Sequence, residues 1–335
     1  LFEPQSTNLI TQSELFSDSS WYKGGSTATS TIEISPSGEA NASKLVESIS
    51  NSSHGISYSY SSTSSMAFSV FAKLKERTFI QIQSGGVAST DCIFNLSNGT
   101  IVSTESNATA SIEDYGNGWY RCSIYYNSSG GNNPIIRLYN GSDSYQGDGT
   151  SGVLIWGAQF EDNISYATSY IPTSGSSVTR NQDLCTNGGS LASINSTEGV
   201  LYAEIAALAN DGTTRRLAIS DGSTSNRVFI GYDVNTNSVQ FVVSSGGSVV
   251  VNQTFTISDT TQFSKLAIKY KLNDCSFWID GVKVGTDTTA LMPTGLNSLD
   301  FTQGNATIPF FGKTKAVAVW KEALSDAELT SLTTI

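Results

Sequence analysis

The stretch IWGAQFEDNISYATSYIPTSGSSVTR, residues 155–180, decides how the chain is divided. It continues an alternating run that begins at Val153 and lasts to Phe160, then passes into small polar residues around Pro172. A period of two marks a strand with one buried face, and a cluster of Ser, Thr, Gly and Pro marks the place where packing ends. The stretch therefore reads as the last strand of one domain running into a connector. Working outward from it, residues 1–172 form a first domain, 173–183 a connector free to hinge, and 184–335 a second domain. A length of 335 residues fits two domains of about 150 residues each.

Composition sets the fold class. Charged residues make up only 14%, aromatics reach 10%, and Ser, Thr, Asn and Gly abound, a mixture that suits short strands and many turns. The expectation is all-β, two tandem sandwiches with a short C-terminal helix. The formal net charge is -11, so a polyanion would be repelled over most of the surface and nucleic acid is excluded as a partner. There are 8 basic and 16 acidic residues up to Asp183, and 10 and 13 beyond it. No apolar run approaches the roughly 18 residues that cross a bilayer, and the first residues, LFEPQSTNLI, lack a basic region followed by an apolar one. The chain is read as soluble, without a membrane partner, and as the distal part of something longer. Cys92, Cys122, Cys185 and Cys275 show no CxxC spacing, which argues against a zinc site or redox motif, and for Cys92 and Cys122, each in a strand-like run, small buried thiols are favoured over a disulfide.

In the first half, strand-like runs recur at 31–35, 56–60, 66–74, 78–83, 92–96, 119–126, 135–139 and 153–160, with Gly, Asn and Ser clusters between them. About eight short strands of this kind describe a jelly roll. Alternation separates the faces: Tyr120, Cys122, Ile124 and Tyr126 oppose Trp119, Arg121, Ser123 and Tyr125, Ile136 and Leu138 oppose Ile135, Arg137 and Tyr139, and Ile80 and Ile82 oppose Gln81 and Gln83. A rigid face of Gln, Arg and Tyr suits a neutral sugar, whose C–H faces need flat aromatic surfaces and whose vicinal hydroxyls need bidentate partners. An antiparallel sheet also wets one face with these same residue types.

Several fragments of this half, NLI at 8–10, Trp21, FSVFAK at 68–73, GNGWYR at 116–121, IWGAQFE at 155–161 and SYATSYIPTSG at 165–175, resemble the jelly-roll, carbohydrate-binding-module-like domain of phage tail and fibre proteins. The resemblance implies that Trp119, Trp156 and Gln159 are structural, being shared whatever the ligand. Arg121 stands in both readings, as a sheet brace and as a sugar ligand. Sugar contacts are then expected at Gln81, Arg121 and Arg137 and at the tyrosines Tyr58, Tyr60, Tyr125, Tyr139 and Tyr145.

The second half repeats the pattern at 200–208, 216–220, 227–232, 238–243, 249–257, 266–271 and 275–280, with Asp-Gly, Asn-Thr-Asn, Gly-Gly and Asn-Asp in the turns. FWIDGVKVGTDT at 277–288, NSLDF at 297–301, FFGKTKAVAVW at 310–320 and ALSDAELTSL at 323–332 resemble the concanavalin A-like, laminin G-like lectin fold. The last piece is the clearest helix, with Ser325 placed to cap it and Glu328 to return the hydrogen bond.

That fold also hosts hydrolases and lyases, so catalysis is a question for particular residues. A retaining hydrolase needs two carboxylates about 5 Å apart, and no E-x-D-x-E or E-x-D-x-x-E spacing occurs. A serine triad would rest wholly on His54, the single histidine. The expectation is no enzyme. Asp221, Asp233, Asp280 and Asp300 are loop or strand-end acids able to serve a rim calcium, the one cofactor considered, although turn chemistry explains them at lower cost. Sequons such as those at Asn41, Asn98 and Asn195 mark surface loops, and neither a phosphate-binding loop nor an internal repeat is present.

The reading is a non-catalytic adhesion module of a phage tail or head fibre, on the virion surface or extracellular, binding bacterial surface carbohydrate. Shallow sites would gain strength from presentation in many copies as a homo-oligomer beside other virion or fibre proteins. The alternatives are a structural protein of a virion or surface filament that binds mainly protein, and accessory binding modules of a polysaccharide-degrading enzyme.

Overall fold

The computed structural model describes residues 1–61, 64–127 and 133–335. The chain forms two compact units, Gln5–Asn181, and Gln182–Ile335 together with Leu1–Pro4. Strand dominates, as the composition requires.

In the first unit the strands are β1 (Ser6–Asn8), β2 (Trp21–Gly24), β3 (Ser26–Ser30), β4 (Ser43–Glu47), β5 (Asn51–Ser52), β6 (His54–Tyr58), β7 (Ser65–Lys73) and β8 (Phe79–Ser84). They are followed by β9 (Cys92–Asn95), β10 (Thr100–Thr104), β11 (Ala108–Asp114), β12 (Trp119–Asn127), β13 (Pro134–Tyr139), β14 (Tyr145–Gln146), β15 (Gly152–Asp162) and β16 (Val178–Arg180). Two six-stranded sheets result, in the orders β10-β9-β8-β13-β6-β2 and β11-β12-β7-β15-β4-β3, with short ladders β1-β16 and β14-β5 beside them. The inward residues are the apolar half of each alternation: Ile56, Ile80, Ile82 and Ile136 from one sheet meet Phe68, Val70, Ile124 and Ile155 from the other.

β15 needs a local exception to that alternation. Ile155 and Phe160 are five residues apart, of opposite parity, yet both lie in the core. A bulge between Trp156 and Gln159 resets the register against β7. Gly157 makes it possible: its φ is +61°, and a Cβ there would lie 2.9 Å from Cδ2 of Phe71. Trp156, before the bulge and on the face opposite Ile155, lies in a small outer cluster with Phe71, Trp119 and Leu154.

Residues 165–180 then fold back as a clasp. The carboxylate of Glu161, wholly buried, accepts from Ser6 Oγ at 2.5 Å and from the amide and hydroxyl of Thr168 at 3.0 and 2.5 Å. Gln159 accepts from the Ile171 amide at 2.6 Å and donates to the Thr168 carbonyl at 3.2 Å. Asn8 donates to the carbonyls of Ala158 and Ile171 and accepts from the Phe160 amide. Tyr170 lies over Trp156 with centroids 4.7 Å apart, and its hydroxyl meets Ser13 Oγ at 2.7 Å. The stretch expected to be a free connector from residue 173 is thus held much further: Thr173 bonds Ser13 and Ile10, and Val178–Arg180 pairs with β1. Residues 1–4, read as part of the first domain, belong instead to the second unit.

The second unit contains β17 (Glu198–Ala207), β18 (Arg215–Ser220), β19 (Arg227–Tyr232), β20 (Ser238–Ser245) and β21 (Ser248–Thr256). After these come β22 (Ser264–Lys271), β23 (Cys275–Ile279), β24 (Val282–Asp287), β25 (Ser298–Asp300), β26 (Gly312–Trp320) and α1 (Asp326–Thr333). Two five-stranded sheets, β24-β23-β22-β17-β26 and β21-β20-β19-β18-β25, enclose a core that includes Leu201, Ile230, Phe241, Ile268 and Phe277. Asp280 and Gly281 both have positive φ, 47° and 82°, as a two-residue hairpin loop between β23 and β24 demands. α1 has the capping box read from Ser325 and Glu328, and its Leu329 packs with Tyr202 and Trp278 on the outer face of the first of these sheets. Phe2 stacks on Phe301 at 4.5 Å and pairs with Gly312, which ties the first residues to this unit.

Candidate functional site

The register of the first-unit sheet brings three of the eight expected sugar contacts onto one outer face. Gln81 on β8 is directly opposite Arg137 on β13, which in turn is opposite Gly55 on β6. One row further along the strands, Gln83, Ile135, Ser57 and Tyr22 are aligned across β8, β13, β6 and β2. On the other side Phe79 and Tyr139 are paired, with rings edge to face at 6.4 Å. The face thus has an aromatic group at each side of an amide and guanidinium centre.

Its polar groups are held before any ligand arrives. Arg137 Nη1 donates to Gln83 Oε1 at 3.1 Å. Gln81 Nε2 donates to Asp143 Oδ1 at 3.0 Å and to Asp91 Oδ2 at 3.4 Å. The carbonyl oxygen of Gln81 is buried without a hydrogen-bond partner among the described residues, an unmade bond that costs about 1–3 kcal/mol. Burial, followed by the neighbouring charges of Glu105 and Asp143, pushes the Asp91 carboxyl above its ordinary value, while Arg137 opposes the rise. Gly55 leaves space for the arginine, since a Cβ there would stand 2.7 Å from Arg137 Cγ. Tyr22 is 72% exposed, an unusual position for a ring of that size on a rigid strand.

The other expected contacts lie elsewhere. Tyr58 is in the core against Trp21, with its hydroxyl 3.0 Å from that of Thr11. Tyr60 is half-buried edge-on against Phe160. Arg121 is buried on the opposite sheet, donating to Ser69 Oγ at 2.9 Å above the Phe71 ring, which is the bracing role. Tyr125 donates to Asn127 beside a shallow groove lined by Ser106, Asn107 and Thr109. Tyr145 donates to Glu47 Oε2 at 2.8 Å, within the Glu47–Arg77 ion pair. Tyr22, Asp91 and Asp143 were missed. Of these only Tyr22 had a signal, because an inward Trp21 forces its neighbour outward.

The four aspartates do not gather. Asp221 binds the Ser223 amide and hydroxyl and Asn226, Asp280 accepts from the Lys265 amide at 2.7 Å, and Asp300 accepts from the Asn187 amide and Ser298 Oγ, each at 2.8 Å. Asp233 follows the end of β19. Among the described residues no three His, Cys, Asp or Glu side chains form a group able to hold a metal, so these residues do not fit a shared calcium. His54 is buried, with its ring nitrogens 2.6 Å from the Gly25 carbonyl oxygen and 3.1 Å from that of Tyr145. With both ring nitrogens on backbone carbonyl oxygens, that placement suits packing.

Residues 192–330 match a laminin G family model described as the concanavalin A-like lectin/glucanases superfamily. The second unit therefore carries a concanavalin A-like, laminin G-like domain. No curated protein matches the chain. Among solved structures it is similar to CG-16, a homodimeric agglutinin from chicken liver, at 10% identity over 41% of this chain and 99% of that one, with a TM-score of 0.28. It is also similar to domains LG4-5 of the mouse laminin alpha1 chain, at 9% identity over 97% and 94%, again with a TM-score of 0.28.

Proposed function

We propose that the chain is a non-catalytic carbohydrate-binding adhesion module, with its sugar site on the outer face of β9, β8, β13, β6 and β2. The observation that supports this reading most is the placement of Gln81 and Gln83 on β8 and Arg137 on the adjacent β13 on one face of a sheet that also carries the exposed Tyr22 ring, two strands beyond Arg137 on β2. A ring supplies a platform for the C–H face of a saccharide, and pre-oriented planar amides and guanidinium supply bidentate contacts to hydroxyls, at little ordering cost because strands hold them. The resemblance of the first unit to phage tail and fibre domains extends the proposal to a fibre on the virion surface or in the extracellular space, recognising bacterial surface glycans as a homo-oligomer. A face on which Gln81 and Gln83 are themselves buried and Tyr22 alone projects binds weakly in one copy, and many copies raise avidity by about 10²–10⁴. The test is an array of bacterial surface glycans probed with the full chain displayed in many copies. Retention on a subset of neutral glycans, lost in Tyr22→Ala and Arg137→Ala, is expected. Silence across the array, or retention unaffected by either substitution, overturns the proposal.

A further inference from the structure

The second unit holds a pair of arginines that the reading above does not use. β18 and β19 run antiparallel with Ala218 opposite Phe229, Gly231 opposite Arg216 and Ser220 opposite Arg227. That register puts Arg216 and Arg227 on the same outer face, one residue row to either side of Phe229 along the strands. Both guanidinium groups lie over the ring, with their central carbons 4.6 and 5.1 Å from its centroid. Phe229 is buried beneath them together with Ala218 and Val242.

Two like charges this close need a counter-ion, and among the described residues no carboxylate comes within ion-pairing distance of either. Every acceptor they have is neutral. Arg216 Nη1 donates to Gln303 Oε1 at 2.7 Å, and Arg227 Nη1 donates to the same oxygen at 3.1 Å and to the Gln303 carbonyl at 3.0 Å. Ser244 Oγ and Gln240 Oε1 are the remaining partners, at 3.4 and 3.5 Å. Arg216 Nε is buried with no hydrogen-bond partner among the described residues. Burial holds both guanidinium groups below their ordinary values; the charge of Asp233 opposes this at Arg216, and Arg216 lowers Arg227 further, which is the cost of two cations half out of water with no carboxylate in contact.

The Gln303 carboxamide occupies the focus of the pair. It is a neutral, planar isostere of a carboxylate, held by its own Nε2 on Thr307 Oγ1 at 2.5 Å. From this geometry we infer that Arg216 and Arg227 form a binding site for the carboxylate of an acidic saccharide of the uronate type, and that Gln303 is the group such a carboxylate displaces. A carboxylate takes both donors with a full negative charge, making charge-assisted bonds about twice as strong as those of the amide. The planar forks of the two arginines match a planar oxyanion, and the sugar ring lies against the polar surface of Gln240 and Asn252, which are already bonded to each other at 2.9 Å. The site is independent of the first-unit face, and the two fail separately: one in neutral-glycan binding, the other in uronate binding.

Calorimetric titration of the full chain with galacturonate and glucuronate, beside galactose, glucose, inorganic sulfate and inorganic phosphate at matched ionic strength, tests the inference. Uronate binding at least tenfold tighter than that of the neutral sugars and of both inorganic anions is expected. Gln303→Ala should tighten it several-fold. Gln303→Glu should weaken it at least tenfold, because the chain then fills its own site, and should raise Tm by about 2–4 °C. Arg227→Gln should abolish binding; if that variant fails to fold, the two Gln303 variants still decide. The inference is overturned if neither uronate binds, if the neutral sugars or the inorganic anions bind as tightly, or if Gln303→Glu lowers Tm.

Discussion

Glu161→Ala tests the clasp that closes the first unit. The wild-type carboxylate is wholly buried and accepts hydrogen bonds from Ser6 Oγ, the Thr168 amide and Thr168 Oγ1. Removing it strands three donors that water does not reach. A typical net hydrogen bond is worth about 1 kcal/mol and one to a charged group somewhat more, which puts the loss at about 3 kcal/mol. The Thr168 hydroxyl retains a weak alternative at the Ser169 carbonyl, 3.4 Å away, so about 2 kcal/mol is a floor. At 2–4 °C per kcal/mol for a unit of this size, the first-unit melting transition should fall by about 6–12 °C. Calorimetry should be read on that transition, since two units need not melt as one. Trypsin supplies the local readout: opening the clasp should free β16 from β1 and speed cleavage after Arg180. Glu161→Gln keeps shape and one acceptor and should lose about half as much. A Glu161→Ala protein within 1 kcal/mol of wild type, with Arg180 cut no faster, would refute the reasoning.

Three further outcomes follow from the same contacts. Burial raises the Glu47 carboxyl, but the Arg77 bond, the Asp148 amide and Tyr145 outweigh it and hold the group below 4.5; that stability is present above the ordinary glutamate range and is lost as pH falls through the depressed folded value. An acid titration of the first-unit Tm should show this slope below about pH 4.5, and Glu47→Gln should flatten it at a lower starting Tm. Burial pushes the Cys92 and Cys275 thiols up to about 11 and Cys122 higher still. Iodoacetamide on the native chain should therefore label half-buried Cys185 alone, and mass spectrometry should find all four cysteines labelled only after unfolding. Gly157→Ala should cost about 2 kcal/mol, from the left-handed backbone and the Phe71 contact combined, measured by urea unfolding; no shift in midpoint would remove the bulge argument.

How much of this was legible depended on whether a residue's role is local. The alternation of β8, β12 and β13 gave both faces, because period two is a property of the chain itself. The Asp280-Gly281 turn and the Ser325–Glu328 capping box were readable for the same reason. The clasp was legible as a set of motif fragments but not as an object. Its bonds join Ser6 to Glu161 and Asn8 to Ile171, and no periodicity reports partners that distant. Residue type without register misplaced Tyr58, Tyr145 and Arg121: each is polar at its tip, but one faces the core, one serves an ion pair and one braces the opposite sheet. Asp91 and Asp143 join the candidate face from outside the strands that carry Gln81 and Arg137, so neither alternation nor spacing announces them. Arg216 and Arg227 meet only through the β18–β19 register, which places them either side of Phe229.

The central claim is that the first-unit face carrying Tyr22, Gln81, Gln83 and Arg137 is where saccharide binds. The most direct measurement is a side-chain NMR titration of the full chain with the best-retained glycan, following the Gln81 and Gln83 amides, the Arg137 guanidinium and the Tyr22 ring. Shifts confined to those groups and their neighbours Tyr139 and Asp143, saturating together, are predicted. Saturating shifts at Tyr125 and Asn107 on the opposite sheet, with the Arg137 and Tyr22 signals unmoved, would contradict it.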